Sequence, residues 1–159
     1  MDYEFRQATQ NDVELLVKLR LDFLRADNGE LAAGEVATIS WRCSSYFHKH
    51  GGREFLGFIA QADEEVPVCA FLLISERPAN PSFITGKIGT VFNVLTYPAY
   101  RRQGVSTHLL SELIEAAEEK DLSFLDLSAT ESGRTVYEKL CFEVKRTCYT
   151  DMRRELTSS

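Results

Sequence analysis

The chain has 159 residues, 44% of them apolar and 26% charged, ordinary values for one globular domain with room for a real core. Its formal charge of −6, with no basic block, argues against a nucleic-acid surface. Met1-Asp2-Tyr3-Glu4 is neither a basic nor an apolar leader, no apolar run reaches the length of a membrane span, and Cys43, Cys69, Cys141 and Cys148 lack paired metal-ligand spacing. The expectation is a cytoplasmic protein with reduced core thiols and no metal: one domain over 1–156, with Thr157-Ser158-Ser159 as a loose tail.

Tyr3 to Gln7 alternates aromatic and polar residues, as a short strand does. Thr9-Gln10-Asn11-Asp12 fits a capping box with aspartate as the acidic member. The helix behind it has Val13, Leu16, Leu19, Phe23 and Leu24 on its apolar side and the turn cluster Asp27-Asn28-Gly29 at its end. A second helix is predicted from about Leu31 to His50, with Val36, Ile39, Cys43, Tyr46 and Phe47 as its buried stripe and Gly51-Gly52 as its stop. His48 and His50 point in different directions on such a helix, so a solvated C-terminal turn is expected, not a zinc site.

Phe55 to Ala60 is continuously apolar, which predicts a strand covered on both faces. Pro67 to Ser75 pairs with it as an antiparallel hairpin across the charged turn Asp63-Glu64-Glu65. Glu76 to Gly86, with Pro78 and Pro81, is a loop, and Lys87 to Thr96 is the next strand. A helix follows from about Gly104 to Lys120, then a short strand from Leu122 to Leu127. Ser128-Ala129-Thr130-Glu131 is a second capping-box pattern, opening a helix that carries Arg134, Val136, Tyr137 and Leu140. Glu143 to Met152 reads as a last β-rich stretch.

One junction stands out. The strand ending Val94-Leu95-Thr96 leads through Pro98 to Arg101-Arg102-Gln103-Gly104, and Val105, Ser106 and Thr107 open the next helix. The first N–H groups of a helix lack internal partners, and glycine lets an anion approach them closely, so this junction predicts a pyrophosphate cradle. It has neither the P-loop spacing nor the three glycines of a dinucleotide loop. Arg101-x-x-Gly104-x-Ser106 resembles instead the coenzyme A loop of the GNAT superfamily of N-acetyltransferases, Gln/Arg-x-x-Gly-x-Gly/Ala, with Ser106 replacing the small last residue. Val136-Tyr137-Glu138-Lys139-Leu140-Cys141-Phe142 looks like the second family signature, with Cys141 in place of its glycine. The element order is similar to the family's throughout. The resemblance implies a mixed α/β (α+β) fold, a central and mostly antiparallel sheet flanked by about four helices.

It also implies the chemistry: transfer of an acetyl group from acetyl-CoA directly to a primary amine of a small molecule or peptide. The backbone of Val94, Leu95 and Thr96 would hold the pantetheine arm and thioester carbonyl on a strand splayed by a bulge. Arg101, Arg102, Gln103, Gly104, Val105, Ser106 and Thr107 would hold the pyrophosphate, and Thr130 stands where many relatives carry a pantetheine-binding asparagine. Tyr137 matches the family's general acid; a phenol with an ordinary pKa near 10 is protonated at neutral pH and can donate to a departing thiolate. Arg134, one turn before it, fits a solvated or salt-bridged role better than a cofactor contact. Asn93 can position an amine or a water but cannot act as a base. The strand holds no carboxylate, so the base stays open between water leading to Glu35 or Glu54 and an amine that binds neutral. Trp41, Tyr46, Phe47, Phe83 and Asn93 are candidates for the acceptor pocket, and Trp41 and Phe83 fit a plain core equally well. The acidic net charge favours a cationic amine through weak steering. Homodimers are common in the resembled family. A non-catalytic acyl-CoA-binding or sensing module, or a purely structural domain, would share much of this pattern; ligand binding and turnover tell the three apart.

Overall fold

The fold is drawn from a computed structural model, which describes residues 1–157; Ser158 and Ser159 of the expected tail lie outside the described residues. The chain divides into two compact units, Met1–Ser128 and Ala129–Ser159.

The first unit is a five-stranded sheet in the order β1-β2-β3-β4-β5, with β1 at Glu4–Gln7, β2 at Phe55–Ala62, β3 at Glu65–Glu76, β4 at Lys87–Thr96 and β5 at Leu125–Asp126. The first four strands are antiparallel neighbours and β5 joins β4 in parallel. Helices α1 (Val13–Asn28) and α2 (Ala33–His50) separate β1 from β2, and α3 (Val105–Glu118) follows β4.

Local sequence accounts for most of these boundaries. Thr9 and Asp12 form the expected capping box: Thr9 Oγ1 accepts the Asn11 N–H at 3.3 Å, and the Thr9 N–H donates to Asp12 Oδ2 at 2.7 Å. Arg6 clamps the same carboxylate with two N–H bonds of 2.8 and 3.0 Å. α1 ends at Gly29, whose φ of 81° needs no Cβ to be accommodated. α2 starts two residues later than expected, its first turn tied by the Ala32 N–H donating to Glu35 Oε1 at 3.0 Å.

Both faces of β2 are buried, as its continuous apolar run requires. Phe55, Ile59, Cys69, Phe71 and Leu95 face a cluster supplied by Val13, Leu16 and Leu19 of α1 and Phe47 of α2. The alternate residues Leu56, Phe58, Ala60, Val68, Ala70 and Leu72 are as deeply buried, and α3 packs on β2, β3 and β4 through Val105, Leu109, Leu110, Leu113 and Ala117.

The thiols need correction. Cys69 is buried and Cys43 half-buried, but Cys141 and Cys148 are exposed; all four are free. The latter two belong to the second unit, whose described residues form one short helix, α4, at Arg134–Lys139. The expected capping box at Ser128 to Glu131 does not form: the helix starts only at Arg134, and Thr130 Oγ1 instead accepts the Gly133 N–H at 3.1 Å within the preceding turn. The expected strand from Glu143 to Met152 is not formed either. Its β-prone residues are real, but no ladder pairs it among the described residues, and Val144, Tyr149 and Met152 remain exposed.

Candidate active site

β4 changes character halfway along. Its pairing with β3 runs Phe71↔Phe92 and then Cys69↔Leu95, so Asn93 and Val94 stand opposite Ala70 alone. This is a β-bulge, and Asn93 takes it up with a left-handed φ of 52°. The bulge turns the Asn93 side chain towards α1. It is only 2% exposed, with Nδ2 donating to the Leu19 carbonyl at 3.5 Å and Oδ1 accepting from Arg20 Nη1 at 3.1 Å. On the other edge, β5 pairs with β4 only at Gly89↔Leu125 and Thr90↔Asp126. Beyond Thr90 that edge of β4 has no strand beside it among the described residues, so the polypeptide at Val94, Leu95 and Thr96 borders an open edge.

That edge leads into the basic loop. Tyr97 anchors the end of β4 by donating its N–H to the Pro67 carbonyl at 3.0 Å, and a 3-10 turn follows at Pro98–Tyr100. Arg101 Nε donates back to the Thr96 carbonyl at 3.3 Å, and Gln103 is held between Tyr3 Oη at 3.1 Å and the Ala99 carbonyl at 3.3 Å. Arg101 and Arg102 are exposed, without a carboxylate partner among the described residues. Gly104 is the N-cap of α3, with φ 75° and ψ 3° and no side-chain cap. A Cβ built at Gly104 would meet nothing within 4 Å, so the approach to the backbone at the start of α3 is open at Gly104 itself. An uncapped helix start and two exposed guanidinium groups without a carboxylate partner among the described residues are what a pyrophosphate needs, and the loop fits coenzyme A on those grounds.

A polar network missed in the sequence lies at the junction of β4 and α1. Asp22 accepts from Tyr97 Oη at 2.5 Å and from Lys18 Nζ at 2.8 Å. Burial, with the Asp22 hydrogen bond behind it, pushes the Tyr97 phenol up to about 12. Desolvation is the largest influence on Asp22 and opposes ionisation, but the Lys18 and Tyr97 bonds together hold its carboxyl below the ordinary range. The signal was available: Lys18 and Asp22 are four apart on the polar side of α1. Beneath the bulge, burial pushes the Cys69 thiol up to about 12, leaving it uncharged.

The expected acceptor-pocket residues scatter. Phe47 is core, and Tyr46 packs against it with ring centroids 5.8 Å apart. Trp41 is 67% exposed, which fits neither a core nor a closed pocket, and Phe83 packs edge-on against Phe124. Glu35 caps α2, and Glu54 accepts from or faces His50 Nδ1 at 3.0 Å. His48 lies 3.2 Å from Gln10 Oε1 and is exposed, in the solvated C-terminal turn expected for it. No group of three or more metal-ligating side chains occurs among the described residues, and no helix there is long and apolar enough to cross a membrane.

In the second unit, Tyr137 is half-buried on α4, its ring 6.0 Å from that of Phe142. Burial raises its pKa above the ordinary phenol value. A Cβ at Gly133 would lie 3.1 Å from Thr130 Oγ1 and 3.6 Å from the Tyr137 ring, so Thr130, Gly133 and Tyr137 form one local cluster. Arg134 is ion-paired with Glu138, the fate its spacing favours. Cys141 ends the helix in a left-handed conformation, φ 68°.

The sequence model of the Acetyltransferase (GNAT) family matches residues 17–141, and the chain belongs to that family of acyltransferases. Among solved structures it is similar to a predicted acetyltransferase from Clostridium acetobutylicum, determined with acetyl-CoA: 25% identity, 96% of each chain covered, TM-score 0.82. A GCN5-related N-acetyltransferase from Ralstonia eutropha JMP134 shares 20% identity over 95% of this chain and 99% of its own, with a TM-score of 0.78. An aminoglycoside acetyltransferase from an uncultured soil metagenomic sample shares 17% over 98% and 100%, with a TM-score of 0.74. None of the curated protein sequences matches the chain.

Proposed function

We propose that the protein is an acetyl-CoA-dependent N-acetyltransferase acting by direct transfer on a primary amine of a small molecule or peptide, with residues 1–156 as one functional domain. The observation that carries this reading is the open edge of β4, which runs from the bulge at Asn93 into the uncapped start of α3 behind Gly104. Acetyl-CoA binding to the Clostridium acetobutylicum relative supports the choice of cofactor. The action on an aminoglycoside by the soil-metagenome relative supports an amine acceptor.

Bound acetyl-CoA supplies an activated acetyl thioester. The chain's own residues hold and orient it. Arg101, Arg102 and the N–H groups from Gln103 to Thr107 meet the pyrophosphate, and Thr130 offers one hydroxyl to the pantetheine arm. The backbone of Val94 to Thr96 donates to that arm and to the carbonyl oxygen, where negative charge grows as the amine attacks. Asn93 shapes the bulge that frees this backbone, so its role in catalysis is one of positioning. Tyr137 Oη carries the proton that the departing sulfur needs, and burial keeps it protonated throughout the neutral range. Direct transfer, without an acyl-enzyme step, is supported by the thiols near the bulge. Cys69 is buried and uncharged, and burial also raises Cys43, so neither is an activated nucleophile. Glu35 and Glu54 are engaged in local contacts, which leaves water as the carrier of the amine's proton or an amine that binds already neutral. Four free cysteines support a reducing, cytoplasmic setting.

The test is a panel of primary amines with acetyl-CoA, read by release of the free thiol. Release that depends on an amine establishes the activity. Tight acetyl-CoA binding with no release across the panel would replace the enzyme by a binding module, and no binding would end both readings.

A further inference from the structure

Arg20 sits where the pattern of α1 calls for an apolar residue. It lies four residues after Leu16, three before Phe23 and four before Leu24, in the middle of the helix's apolar stripe. Of the three basic residues of α1, Lys18 and Arg25 both pair with Asp22. Arg20 has no carboxylate partner among the described residues, in a chain with 24 acidic side chains. Its half-buried guanidinium is held by neutral groups from two elements, β4 and α2. Nη1 donates to Asn93 Oδ1 at 3.1 Å, the guanidinium carbon lies 5.7 Å from the Phe92 ring centroid, and the group borders the Cys43 thiol of α2. Asn93 is one of the two residues at which β4 bulges, and Phe92 directly precedes it. The cation is therefore fixed in place beside the strand that frees its backbone for the thioester, with no counter-ion among the described residues.

Leaving a partly desolvated cation without an anion is unfavourable, and a guanidinium fork has five N–H donors, of which Asn93 takes one. The remaining edge suits two-point binding of a carboxylate or phosphate. We propose that Arg20 is the anion-binding residue of the acceptor subsite, so that the amine acetylated by this protein also carries an anionic oxygen group, carboxylate or phosphate. This rests on the acetyl-transfer reading above and narrows its substrate class. It also revises the expectation drawn from net charge: the acceptor carries a negative group as well as its amine.

Matched acceptor pairs test it: phenylalanine against phenethylamine for carboxylate, and glucosamine 6-phosphate against glucosamine for phosphate. Each is assayed by thiol release with the wild-type protein, Arg20→Gln and Arg20→Lys. Expected is a preference for the anionic member of at least one pair; which pair shows it identifies the group. Arg20→Gln should raise the KM of that acceptor about 10- to 100-fold, as loss of charge-assisted hydrogen bonds does. The KM of the neutral member and the acetyl-CoA Kd should not move. Arg20→Lys, which keeps the charge on a comparable stem, should recover part of the loss and guards against misfolding of the glutamine variant. No preference in the wild-type protein, or an equal KM rise for charged and neutral members, overturns the proposal while turnover itself upholds acetyl transfer. If no amine turns over, calorimetry of phenylalanine and glucosamine 6-phosphate against the coenzyme A-loaded protein still decides it: binding abolished by Arg20→Gln supports the anion site, and no binding refutes it.

Discussion

Cys141 carries a left-handed backbone, φ 68°, at the position where the resembled signature has glycine. A side chain there costs roughly 1–2 kcal/mol, and glycine gives back about 0.4–1 kcal/mol through the freer unfolded chain. Cys141→Gly should therefore stabilise the protein by up to about 1 kcal/mol, a rise of about 2–4 °C in Tm. A lower Tm would mean that the thiol makes a contact worth more than the strain. Tyr137 is the other residue whose environment makes a prediction. Tyr137→Phe removes one hydroxyl and almost no volume, so Tm should hold. As a general acid, its loss should lower kcat by about 10²-fold, the low end of the usual range, because a thiolate is a fair leaving group. The acetyl-CoA Kd should stay level, since the proton matters in the transition state. Because burial raises the phenol pKa above its ordinary value, the wild-type kcat should not be lost through deprotonation of Tyr137 anywhere in the neutral range. An unchanged kcat with chemistry rate-limiting would return Tyr137 to a packing role.

At the scale of elements, the start of α3 joins stability to function. Gly104 is its N-cap, and aspartate is among the best N-cap residues. At φ 75° either an aspartate or an asparagine side chain is strained, so Gly104→Asp and Gly104→Asn should lower Tm slightly and alike, while only aspartate places a negative charge where the pyrophosphate is to bind. The acetyl-CoA Kd should rise about tenfold or more, the scale on which one charge contact acts, and Gly104→Asn, of the same shape, should lose less. Normal binding by the aspartate variant would put the cradle elsewhere. The start of α1 makes a pH prediction. The Arg6 hydrogen bonds are the main reason the Asp12 carboxyl falls from 3.8 to about 2, with Arg6 and Asp12 side chains 29% and 13% exposed. A depressed carboxyl stabilises the fold above its unfolded pKa, and that stability is lost as pH falls through its folded pKa. Urea unfolding should thus show the wild type ahead of Asp12→Asn by up to about 2 kcal/mol near pH 6, less whatever solvent screens. The gap should close between about pH 4 and 2. A gap independent of pH would show that the carboxylate charge is not what holds the cap.

For the molecule as a whole, a ligand that binds only the folded state must stabilise it. Acetyl-CoA at 100 times its Kd should contribute about 2.7 kcal/mol, seen as a rise in Tm that grows with concentration. No rise, together with no heat of binding, would remove both the enzyme and the binding-module readings.

What the sequence determined by itself was local. Capping residues at Thr9 and Asp12, the apolar stripe of α1, the two-sided run of β2 and the Arg101-x-x-Gly104 junction act within one element or across one turn, and each formed close to where its residues predicted. The family followed from those motifs and their order. Tertiary structure decided the rest, because those features depend on partners distant in the chain. Whether Glu143 to Met152 forms a strand depends on a ladder to join, and β-prone composition alone supplies none. The bulge at Asn93 is set by its register against Cys69 and Phe71, more than twenty residues earlier, and no spacing within β4 announces it. Arg20 is an ordinary helix residue until α2 and β4 close around it; only then does an arginine in an apolar stripe become a fixed cation with no counter-ion among the described residues.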